Sequence, residues 1–105
     1  MISESILKEA TDRLVSRFHP EKIILFGSQA RGTAHELSDV DIMVVCEFTG
    51  SRDEFLVEMY RALRGIKLPS DIAVLTPREY ELDRHIFGTL AQPVASEGRV
   101  LYERT

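Results

Sequence analysis

The chain has a single cysteine, Cys46, so no internal disulfide can close and a reducing cytoplasm is the expected compartment. Cys46 falls at the end of an apolar run, which reads as buried filler rather than as a nucleophile. No apolar run is long enough to span a bilayer, and no basic start leads into a short apolar segment. Both absences argue against a membrane span and a secretory leader. Positive charge is not in excess either: 13 Lys and Arg stand against 17 Asp and Glu, a net charge of −4. Domains whose affinity rests on nucleic-acid phosphates usually carry a basic face, so nucleic acid is not the expected partner. A single nucleotide needs only a local site, and an acidic surface leaves room for a basic protein partner. The three histidines, His19, His35 and His85, lack metal-ligand spacing and read as surface or loop residues. Internal repeats and low-complexity segments are also missing.

What is present fits one domain over residues 1–105 with a modest core. Ile2, Ile6, Ala10, Leu14 and Phe18 recur every four residues, with Leu7 and Val15 beside them, which predicts a first helix ended by Pro20. Lys22 to Phe26 is short and isoleucine-rich, as a buried strand is. Ser28 to Thr33 is expected to form a short helix with Ser28 as N-cap. Asp39 to Cys46 predicts a second strand, Ser51-Arg52-Asp53-Glu54 a capping box, and Phe55, Met59, Leu63 and Ile66 the helix stripe behind it. Leu68 to Leu75 reads as a third strand. Thr76-Pro77-Arg78-Glu79 is a second capping box, and a helical pattern interrupted at Pro93 runs from Tyr80 to Glu97. Val100-Leu101-Tyr102 closes the chain as a short edge strand. The order predicts an α/β (α+β) architecture, helices packed on a small mixed sheet.

The chemistry gathers between Gly27 and Val45. Gly27-Ser28 follows the first strand and opens a helix, so its backbone N–H groups and hydroxyl are available to a phosphate. Asp39 and Asp41 stand two apart on the second strand and share one face with Met43 and Val45, while Val40, Ile42 and Val44 face the core. Paired carboxylates at a strand's entrance suit a divalent cation. Asp71 occupies the same position on the third strand. Alone, each feature is most often a turn or a solvated strand end; their joint order overturns that reading.

Gly27-Ser28, Ala30-Arg31-Gly32, Ser38-Asp39-Val40-Asp41 and the later lone Asp71 resemble the motif of the nucleotidyltransferases of the DNA polymerase β superfamily. The resemblance is closest to the minimal nucleotidyltransferases and runs from Ile23 to Glu103. It implies a polymerase β palm-like fold and transfer of a nucleoside monophosphate from ATP to a hydroxyl, with two Mg²⁺ ions and release of pyrophosphate. On it, Asp39, Asp41 and Asp71 are the catalytic carboxylates and metal ligands, with Asp71 nearest the acceptor hydroxyl. Gly27 and Ser28 hold the leaving phosphates, Arg31 contacts phosphate and Ser38 orients the loop. Many relatives carry arginine where this chain has Gln29, which shifts phosphate neutralisation toward Arg31.

About thirty residues follow the third strand, which supplies almost no acceptor surface, so a partner is expected to bring the hydroxyl. In the family resembled that partner is a HEPN-domain toxin, neutralised when AMP is placed on its tyrosine. The resemblance thus implies a protein adenylyltransferase acting as antitoxin; self-association stays open. The alternative is a non-catalytic antitoxin that masks its partner by binding.

Overall fold

In the first helix, Leu7, Ala10, Thr11 and Leu14 recur at three- and four-residue spacing and are all buried, so one stripe seeks a sheet to cover. This helix, α1 (Glu4–Phe18), stops where His19 turns left-handed at φ 52° and returns its N–H to the Val15 carbonyl. Pro20 prevents its resumption. The computed structural model describes residues 3–27 and 40–105. The predicted helix from Ser28 to Thr33 therefore lies outside the described residues.

β1 (Lys22–Phe26) and β2 (Val40–Val45) pair antiparallel, and β3 (Ser70–Leu75) joins β2 in parallel. A parallel pair needs a crossover, which α2 (Arg52–Ala62) supplies. β4 (Arg99–Glu103) adds antiparallel to the other side of β1, with a bulge opposite Ile23 and Ile24. The sheet is mixed and four-stranded, in the order β3-β2-β1-β4. With its helices this is the predicted α/β architecture, helices packed on a small mixed sheet.

Period-2 alternation splits the core in two. Ile23, Leu25, Val40, Ile42, Val44, Ile72 and Val74 face α1 and α2, packing on Leu7, Leu14 and Met59. Ile24, Met43 and Val45 face the other way, against Tyr80, Ala91 and Val94. Cys46 is buried at the end of β2, and burial pushes its thiol pKa up, as the filler reading expects.

Several boundaries differ from the sequence reading: the second strand ends at Val45 rather than Cys46, and the last runs Arg99–Glu103 rather than Val100 to Tyr102. The third strand starts at Ser70 rather than Leu68. α2 ends at Ala62, short of the predicted Ile66, in a turn where Gly65 has φ 90°. The long helix expected from Tyr80 to Glu97 is two helices, α3 (Pro77–Asp83) and α4 (Ala91–Glu97). The break precedes Pro93, which sits in the first turn of α4, where a missing N–H costs nothing. Gly88 at φ 93° makes it, together with the Thr89 hydroxyl, which donates to the Asp83 and Ile86 carbonyls at 2.8 and 2.7 Å. At the far end of α4, a Cβ on Gly98 would come within 2.4 Å of both the Val94 carbonyl and the Ile24 side chain. The glycine lets the helix end lie directly on β1.

Candidate functional site

β1 ends at Gly27, and Phe26 and Asp41 are register partners across the antiparallel pair. Asp41 is in turn the register partner of Asp71 across the parallel pair. Neighbouring strands lie about 4.8 Å apart, and residues at one level of a sheet point to one face. The two carboxylates therefore stand side by side at the entrance of β2 and β3, on the face that Met43, Ala73 and Val45 carry onward beneath α3 and α4. Asp41 is half-buried and Asp71 exposed, so the pair has one flank against protein and one toward water.

Gly27 closes the third side. Its φ is +74°, and a Cβ there would meet Asp41 Oδ2 at 2.4 Å and its Cγ at 3.3 Å. The carboxylate of Asp41 thus lies over bare backbone, in space that any side chain on residue 27 would fill. Two hard carboxylate oxygen donors beside an open, water-accessible flank fit a magnesium-sized cation, which keeps several waters of its own. Among the described residues no three ligating side chains converge. Asp41 and Asp71 supply two, and the third predicted carboxylate, Asp39, lies outside the described residues. So do Ser28, Arg31 and Ser38.

The structure adds side chains that motif reasoning did not single out. β3 lies at the sheet edge, and two residues of α2 grip its outer side. The Tyr60 hydroxyl accepts the Ile72 N–H at 2.8 Å, and Arg52 Nη1 donates to the Val74 carbonyl at 2.7 Å. Tyr60, next to Met59 of the stripe, is 44% exposed and held by its oxygen. Arg52 also donates to Glu79 at 2.7 Å and lies 5.1 Å from the Phe48 ring. That guanidinium, with the Thr76 N–H behind it, holds the Glu79 carboxyl below its usual pKa. No local pattern could have revealed the Tyr60–Ile72, Arg52–Val74 and Arg52–Glu79 bonds, because each joins residues twelve or more positions apart.

A hollow of about 580 Å³ elsewhere, along α1 between Lys8, Asp12, Arg13 and Ala62, contains none of the site residues. Its rim is made of exposed ion pairs, Lys8–Asp12 at 2.8 Å and Arg13–Glu9 at 3.3 Å, which mark a solvated helix face.

Comparison with known proteins agrees with the fold. A family model described as polymerase beta, nucleotidyltransferase matches residues 8–105. A protein of Methanocaldococcus jannaschii named "Putative protein adenylyltransferase MJ0604" is 34% identical over 105 residues, covering 97% of this chain and 100% of its own length. A crystal structure of a "putative nucleotidyltransferase" from Sulfolobus solfataricus has TM-score 0.65 and 25% identity, over 95% of this chain and 79% of that one. A crystal structure described as a toxin-antitoxin with AMP-PNP has TM-score 0.55 and 26% identity, over 93% of this chain and 74% of that one.

Proposed function

Because this chain belongs to the polymerase β nucleotidyltransferase family, we propose that it moves AMP from Mg·ATP to a tyrosine hydroxyl of a HEPN-type partner and so acts as an antitoxin. Residues 1–105 act as one nucleotidyltransferase domain in this reading, in the cytoplasm. The observation that carries the chemistry is the register pairing of Asp41 with Asp71 beside the bare backbone of Gly27. The protein acceptor rests on the name of the full-length relative, and the toxin on the toxin-antitoxin structure neighbour.

The reaction forms one P–O bond and breaks another: the acceptor oxygen attacks the α-phosphorus and pyrophosphate leaves. When bound, two divalent cations neutralise charge on the attacking and leaving oxygens. Asp39 and Asp41 would hold both cations, and Asp71 the one nearest the acceptor. Asp71, more exposed than Asp41, would take the hydroxyl proton. Ser28 and the N–H groups after Gly27 would cradle the departing phosphates, as a helix N-terminus does. Arg31 would add charge there, and Ser38 would orient the loop.

The test incubates the protein with a HEPN-domain partner, Mg²⁺ and ATP labelled at the α- or the γ-phosphate. Label from the α-phosphate on a partner tyrosine is expected. Asp41→Asn or Asp71→Asn should reduce it on the order of a hundredfold or more, the scale for removing one group that stabilises transition-state charge. Label from the γ-phosphate would mean a kinase. A tight complex without label, formed equally well by both variants, would replace catalysis with masking.

A further inference from the structure

β3 bears one of the two described site carboxylates, and it is an edge strand, paired with β2 alone among the described residues. Its inward groups are spoken for: the Pro69 and Leu75 carbonyls accept the Val40 and Cys46 N–H groups of the β2 segment, each at 2.9 Å. By alternation, Ile72 and Val74 turn their backbone groups outward, where an edge strand ordinarily meets only water. Here α2 meets them instead. Tyr60 takes the Ile72 N–H and Arg52 the Val74 carbonyl, and Arg52 is itself fixed by Glu79.

The Ile72 N–H belongs to the peptide unit whose carbonyl carbon is that of Asp71, and this unit is planar. By the same alternation the Asp71 carbonyl turns inward to β2, while the Tyr60 bond holds the N–H on the other side of the plane, so the two together set ψ of Asp71 and the backbone that presents its carboxylate beside Asp41. Asp71 depends on that backbone for its position. It is exposed, second in its strand, and flanked by half-buried Ser70. Asp41, by contrast, lies in a central strand against Gly27.

We infer that Tyr60 is a positioning residue for the cation site: its hydroxyl, by accepting the Ile72 N–H, holds the Asp71 carboxylate level with that of Asp41. The inference rests on the reading of Asp41 and Asp71 as cation ligands.

The experiment measures Mn²⁺ binding to the resting protein by electron paramagnetic resonance, without ATP, in the wild type, Tyr60→Phe, Ser51→Ala and Asp41→Asn. Hydrogen exchange at the Ile72 amide is followed alongside. Tyr60→Phe removes one oxygen from a half-exposed ring. It should weaken Mn²⁺ binding roughly tenfold, the scale for losing an outer support of a ligand, and should speed exchange at Ile72. Ser51→Ala loosens the start of α2 by removing the N-cap to Glu54, yet leaves Ile72 alone, so its Mn²⁺ affinity should match the wild type. Equal weakening in Ser51→Ala would make the effect general softening of α2 and overturn the inference. Affinity lost in Asp41→Asn but kept in Tyr60→Phe would overturn it alone, leaving Tyr60 as an edge cap. Affinity kept in Asp41→Asn would overturn the cation reading itself, and this inference with it.

Discussion

Gly27 meets two requirements at one position. The chain must leave β1 with φ of +74°, a conformation that costs an ordinary L-residue about 1–2 kcal/mol. It must also leave room for Asp41 Oδ2, which lies 2.4 Å from where a Cβ would be. Gly27→Ala is therefore expected to lower stability by about 1–2 kcal/mol in urea melts. Nucleotidyl transfer should fall further than that loss explains, because the displaced group is the proposed ligand. A variant with lowered stability and unchanged transfer at saturating Mg²⁺ would separate the two requirements and leave only the backbone one. Position 98 shows the same economy without a special φ, since there the glycine serves only close packing of α4 on β1.

Among the elements, α3 is short, and its start is the best secured. Thr76 accepts the Glu79 N–H at 3.2 Å while Glu79 accepts the Thr76 N–H at 2.8 Å, a reciprocal capping box with Pro77 behind it. Glu79 has a second partner in Arg52, so one carboxylate ties α3 to α2 across the end of β3. A carboxyl whose pKa is depressed on folding adds stability that is fully present above its unfolded value, near 4.5, and is lost as pH falls through the depressed folded value. Glu79→Gln should thus be less stable than the wild type at neutral pH, with the gap closing below about pH 4.5. Thermal melts across that range check it. The pair is more than a third exposed, so salt should narrow the neutral-pH gap as well. A gap that stays constant with pH would assign the effect to packing.

In the molecule as a whole, one sheet separates two apolar layers, and the carboxylate pair belongs to only one of them. Leu14 is fully buried in the other, between α1 and the sheet. Leu14→Ala should cost about 2–5 kcal/mol. At about 4–8 °C per kcal/mol for a domain of this size, the melting temperature should drop by roughly 10 °C or more. The Mg²⁺ requirement proposed for transfer should not change in the protein still folded, since the carboxylate pair lies on the opposite face. A shifted requirement would mean that the two layers are coupled through the sheet.

The sequence by itself determined which side chains share a face. Alternation along residues 40–45 and 70–75 put Asp41 and Asp71 on the parity of Met43 and Ala73, because successive strand residues must point to opposite sides. Capping chemistry marked the starts of α2 and α3 for a similar local reason: the N-cap bond closes within three residues. Neither rule says which strand lies next to which. Only the tertiary structure decided that β2 and β3 run in parallel with Asp41 level with Asp71. It also brought the Gly27 backbone against the Asp41 carboxylate and turned Tyr60 from a stripe residue into a clamp on the edge strand. The gap between α3 and α4 is a local matter that apolar spacing does not show. That spacing is helical, but Gly88 turns to φ 93° and the Thr89 hydroxyl reaches the Asp83 and Ile86 carbonyls. Strand pairing and the Tyr60 bond join distant segments, and their energy depends on partners that no single stretch of chain contains.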